Sequence, residues 1–111
     1  MKVTHFLTAA AATLFVFASA ANAAVDEDAA TALLKKEKCT KCHSVDKKKD
    51  GPSYKETAAE LKGKPDAVAK LHKHLTTGPT IKVDGKEEKH AILKTTDEAA
   101  INNLIEYILS R

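Results

Sequence analysis

The sequence predicts a small all-α fold of about four helices, and three observations carry that prediction. The C-terminal segment sets Ile101, Leu104, Ile105, Ile108 and Leu109 on one helical stripe. A second apolar face recurs at Val68, Leu71 and Leu75, at helical spacing. Glycine and proline fall between the periodic segments, at Gly51-Pro52, Gly63 and Gly78-Pro79, so they separate helices rather than break them.

Taken in order, Asp26 or Asp28 caps a first helix running to about Lys38, with Leu33 and Leu34 inward and acids in the first turn. That helix delivers Cys39 at its end. Ser44 to Gly51 is a lysine-rich loop. The Gly51-Pro52 turn leads into a short helix from Ser53 to Lys62, with Tyr54, Ala58 and Leu61 on one side. Pro65 suits the first turn of a third helix, which Gly78-Pro79 ends. At about 100° per residue, His72 lies on the edge of its apolar face and His74 well off it, as a solvated residue. Thr80 to Lys89 has no helical period and reads as loop, with a small hairpin open to it through Asp84-Gly85. Thr95 and Glu98 offer a capping box to the final helix.

One run has a sharp chemical meaning. Cys39-Thr40-Lys41-Cys42-His43 has the C-x-x-C-H spacing at which two thiols capture the vinyl groups of a haem, each forming a thioether. The histidine one residue on then serves as the proximal iron ligand, giving one covalent haem c. Three other readings use only part of the run. A dithiol redox site wants C-x-x-C at a helix start after a strand, and no such pattern surrounds Cys39. Tetrahedral zinc wants a second close ligand pair, for which only His72 and His74 are spaced. A Cys39–Cys42 disulfide would close a short loop and add little stability.

Lys2, the apolar stretch Phe6 to Ala20 and Ala21-Asn22-Ala23 read as a secretory signal over residues 1–23, with Ala18-Ser19-Ala20 a second cleavage site. Residues 24–111 then form one soluble domain, expected in the periplasm, with no membrane contact after cleavage and as a monomer. The formal charge of +3 is a mild excess and excludes a nucleic-acid footprint. Lys35, Lys36, Lys38, Lys41, Lys47, Lys48 and Lys49 crowd the C-x-x-C-H run, only partly offset by Glu37, Asp46 and Asp50. A docking patch and a solvated face are both open readings of that cluster. With three Phe, two Tyr and no Trp, the apolar core is thin. A buried porphyrin would be a large share of it, and the apoprotein is expected to fold poorly.

The run near the end of the first helix, the Gly51-Pro52-Ser53-Tyr54 that follows, and a closing helix ending in Tyr107-Ile108-Leu109 together resemble the small class I cytochromes c, nearest the c551 type. The resemblance covers nearly all of residues 24–111 and implies their fold, wrapped around one haem. It implies that Cys39 and Cys42 form the thioethers, that His43 is the proximal ligand, and that the Pro52 carbonyl receives the proximal imidazole N–H. That family takes a loop methionine as sixth ligand, and this chain has none besides Met1. Counting back from Thr96-Asp97-Glu98, the methionine position falls on His90, followed by Ala91 and Ile92 in place of the family's prolines. His90 is therefore the candidate distal ligand, with His72 second and an open site third.

Two nitrogen ligands leave no open position, which suits a soluble electron carrier rather than an enzyme. Imidazole in place of methionine sets its potential low. Its partners would be redox proteins, steered to the lysine-rich haem edge. The alternative, from another class, is a sensor in which His90 lets go on reduction and admits CO, NO or oxygen.

Overall fold

The computed structural model describes residues 24–111; the segment 1–23, read above as a secretory signal, lies outside the described residues. All three phenylalanines, at positions 6, 15 and 17, fall in that segment. The aromatic side chains of the domain are thus Tyr54 and Tyr107, and the core is thinner in rings than the whole-chain composition suggests.

Helix α1 (Glu27–Lys36) starts where the Asp26 carboxylate accepts the Ala29 N–H at 2.9 Å, with acids in its first turn and lysines in its last. It ends earlier than expected because Lys38 adopts a left-handed conformation, φ 59°, and feeds a short 3-10 turn at Cys39–Lys41. Helix α2 (Tyr54–Leu61) opens on a capping box: Ser53 Oγ accepts the Glu56 N–H at 3.1 Å, and Glu56 accepts the Ser53 N–H at 2.8 Å. Gly63, at φ 73°, turns the chain away after it.

Helix α3 (Ala67–Thr77) buries Ala67, Leu71 and Leu75, while Val68, expected on its apolar face, is 42% exposed. The segment expected as loop forms a complete hairpin, β1 (Thr80–Val83) against β2 (Lys86–Lys89), antiparallel with Lys82 opposite Glu87. Asp84 and Gly85 both take positive φ, 49° and 77°, which is the two-residue turn whose twist matches antiparallel strands. Opposite charges across the pair add to it.

Helix α4 (Glu98–Leu109) is capped by Asp97, whose carboxylate accepts from Ala99 and Ala100 at 3.0 and 3.4 Å. The expected Thr95–Glu98 box does not form. Thr95 Oγ1 instead accepts the Asp97 N–H at 3.2 Å, because the carboxylate adjoining the helix takes the free N–H groups first. Helix α4 packs against α1, α2 and α3 and supplies the deepest side chains, Ile101, Leu104 and Ile105, each at most 2% exposed. Its outer face ties to the start of the domain. Asn103 exchanges hydrogen bonds of 2.8 and 2.9 Å with the Asp26 backbone, and Arg111 lies over the Tyr107 ring while bonding Glu27. Among the described residues, no helix is long and apolar enough to cross a membrane.

Candidate functional site

The C-x-x-C-H run is set by local bonds. Cys42 and His43 both donate to the Cys39 carbonyl, at 3.2 and 3.0 Å, which curls the five residues into one turn. Cys42 is exposed and Cys39 half-buried, and no disulfide joins the two. Burial first, and the Glu37 carboxylate second, push the Cys39 thiol up from its ordinary pKa, so it is held protonated. That is opposite to the depressed thiol that a dithiol redox site needs. Zinc fares no better, since among the described residues no three of His, Cys, Asp and Glu converge as a metal-binding group.

His43 is held from three sides. Its Nδ1 lies 2.7 Å from the Pro52 carbonyl; a carbonyl can only accept, so Nδ1 carries the proton and Nε2 presents a bare lone pair. Tyr54 stacks over the ring at 5.6 Å between centroids and 21° between planes, and Tyr107 meets Tyr54 edge-on. Burial pushes the Tyr54 phenol well above its ordinary range, and its hydroxyl makes no hydrogen bond among the described residues. On the third side is Gly51, where a Cβ would overlap the imidazole, meeting Nδ1 at 2.8 Å. The sequence places Gly51 in a turn and in the Gly-Pro-x-Tyr motif, but carries no sign that its missing side chain makes room for the imidazole.

Gly51→Ala is accordingly expected to displace the imidazole and stretch its bond to Pro52, destabilising the protein by about 1–3 kcal/mol as overpacking does. Urea denaturation together with the NMR shift of the His43 Nδ1 proton checks this. An unchanged midpoint and shift would show that the ring does not depend on the bare glycine.

Facing His43 is His90. Their ring centroids are 6.1 Å apart with planes at 52°. His90 Nδ1 lies 2.8 Å from the Ala91 carbonyl, so by the same reasoning Nδ1–H donates and Nε2 is bare. Burial lowers the His90 pKa, with the neighbouring His43 acting in the same direction and the Ala91 bond opposing, which keeps the imidazole neutral. The segment is placed by the end of α3. Gly78, at φ 60°, would with a Cβ meet the His90 carbonyl at 2.8 Å, and the His90 and Leu93 N–H groups donate to Pro79 and Leu75 at 2.9 Å.

Of the other two described histidines, His72 keeps its expected place at the edge of the helix face and His74 does not. His72, second in the sequence reading as a distal ligand, is bonded to Glu98 through Nε2 at 2.9 Å. His74, expected in solvent, is half-buried with its ring 4.1 Å from that of His90. The reason is the true face of α3. With Ala67 in place of Val68 as the buried residue, the face centres on Leu71, leaving His74 about 60° away and His72 about 100°.

The family profile described as Cytochrome c matches residues 28–111. The chain belongs to the cytochrome c family. Two curated relatives are both named cytochrome c-551, from Pseudomonas aeruginosa (39% identical over 46 residues) and Pseudomonas denitrificans (41% over 46). These alignments cover 41% of this chain and 44% and 56% of the relatives, so it matches about half their length. Among solved structures, the class 1 cytochrome MtoD of Sideroxydans lithotrophicus ES-1 is 52% identical with a TM-score of 0.75, covering 78% of this chain and 97% of that one. Cytochrome c552 of Nitrosomonas europaea is 28% identical with a TM-score of 0.59, covering 72% and 96%. The small cytochrome c fold is thereby established for this chain.

The family's cofactor is covalent haem c with one iron, and this cytochrome carries the C-x-x-C-H motif for it at Cys39, Cys42 and His43. The residues present fit the group. A metal held between two imidazoles at about 2 Å per metal–nitrogen bond puts the ring centres about 6 Å apart, and the His43 and His90 rings stand at 6.1 Å with both Nε2 atoms uncommitted. A cavity of about 350 Å³ opens beside His43, lined by Leu34, Val45, Tyr54 and Tyr107 among others.

Proposed function

We propose that this cytochrome is a soluble periplasmic electron carrier with its haem iron between His43 and His90, running at a potential below that of methionine-ligated relatives. The observation that supports it most is the matched pair of imidazoles, each with Nδ1 spent on a backbone carbonyl and Nε2 bare, 6.1 Å apart. In this reading Cys39 and Cys42 supply the thioethers, and residues 1–23 are the export signal.

When bound, the haem supplies the one-electron couple. The chain's own residues then tune and guard it. The Pro52 and Ala91 carbonyls accept the two Nδ1–H groups, which fixes both rings and raises the basicity of both Nε2 atoms. Two such donors would favour the ferric state of a haem held between His43 and His90, which would lower its potential, and would leave no coordination position free for substrate. Lys35, Lys36, Lys38, Lys41, Lys47 and Lys48 are exposed around the motif, while Lys49 spends its ammonium on the Thr40 carbonyl at 2.7 Å. That positive rim suits an acidic redox partner, steered in at low ionic strength.

Potentiometry of the parent and of His90→Met tests the reading. Restoring the thioether is expected to raise the midpoint by on the order of 0.1 V, within the span of about 0.8 V that axial ligands command. A potential that stays put, or a parent protein that is high-spin or takes up CO in its ferrous form, would sink the carrier with two histidines and leave the ligand-binding alternative standing.

A further inference from the structure

His74, half-buried like His72, is used neither by the motif nor by the proposed ligand pair. It makes no hydrogen bond among the described residues, unlike His43, His72 and His90. Its contact is a ring: the His90 imidazole, 4.1 Å away between centroids and tilted by 53°. The end of α3 already fixes the backbone on either side of His90, through the Pro79 and Leu75 carbonyls and the close approach at Gly78. What backbone bonds cannot fix is the rotation of the imidazole about its own side-chain torsions. The Nδ1 bond to Ala91 restrains that rotation, and the His74 ring packs against the imidazole.

We infer that His74 is a positioning residue: a flat wedge carried on α3 that sets the plane of the His90 imidazole relative to that of His43, at the 52° seen between them. This rests on reading His90 as the distal ligand. The wedge suits its place because α3 is anchored in the core by Ala67, Leu71 and Leu75, whereas a ring borne on the hairpin would move with two exposed strands. The relative orientation of two axial imidazoles governs the splitting of the iron d orbitals, and the g-values of the ferric protein report it directly.

The test is the low-temperature EPR spectrum of the ferric holoprotein for the parent, His74→Ala, His74→Leu and His74→Phe, with Lys82→Ala as a hairpin control. All are expected to stay low-spin. Loss of the flat ring in the alanine and leucine variants should move and broaden the lowest-field resonance, and phenylalanine should bring it back towards the parent position. The hairpin control should overlay the parent. Should His74→Ala fail to accumulate, the leucine variant keeps the volume and still removes the flat ring. A low-spin parent whose spectrum is unmoved in both the alanine and leucine variants overturns the wedge and leaves His90 ligation intact. A shift in both that phenylalanine does not reverse also overturns it, since the polar nitrogens would then be what matters. A high-spin parent overturns both readings together.

Discussion

His90→Ala is expected to turn the ferric protein from low-spin to high-spin and to open its ferrous form to CO. The expectation follows from the two bare Nε2 atoms: with the His90 imidazole removed, the ring beside its place is that of His74, fixed on a helix. Visible absorption, oxidised and reduced, with and without CO, reads the change. The parent should be unmoved by CO and the variant should bind it in a one-to-one ratio. If the variant remains low-spin, the sixth ligand lies elsewhere, and His74 becomes the first residue to substitute next.

Leu104→Ala should cost about 2–5 kcal/mol, the usual range for truncating a fully buried leucine. Leu104 is 0% exposed at the centre of α4, where α1, α2 and α3 converge on the helix. Against a total stability of about 5–15 kcal/mol for a domain, that is a large share. Denaturant titration of the covalent holoprotein measures it, with Leu109→Ala, at the part-buried end of the same stripe, as the milder comparison. A loss under 1 kcal/mol at position 104 would mean that the bound cofactor, rather than α4, carries the stability of the core.

Much of the site was legible because its chemistry is local in sequence. C-x-x-C-H fits within one turn, and the Gly51-Pro52 pair lies close enough behind it for the Pro52 carbonyl to meet the same imidazole that the motif supplies. Counting from the α4 cap names His90 as the candidate from chain length alone, and its ring lies 6.1 Å from that of His43. What escaped were contacts between segments far apart in the chain. A helical wheel measures position against one apolar face, and taking exposed Val68 for that face instead of Ala67 was enough to send His74 into solvent. Gly51 escaped for a different reason: its role is an absence of atoms beside His43, which composition cannot register. The hairpin was half visible in Asp84-Gly85, but its strands carry Lys82, Lys86, Glu87, Glu88 and Lys89, and no apolar alternation announces them. At the α4 start two caps competed, and a carboxylate next to the helix outdid a hydroxyl two residues further out.

The place of α4 in the fold has a bearing on the order of assembly. A chain made from its N-terminus emerges with the C-x-x-C-H turn long before the helix that shuts the core, and that turn needs only the Cys39 carbonyl and its own neighbours to form. The last helix brings with it both the central packing and the Asn103 clasp on Asp26. Until it arrives, Cys39 and Cys42 stand on an open, unfinished surface with their thiols free. A covalent graft at these thiols is therefore expected before α4 docks on the core: cofactor first, closure second.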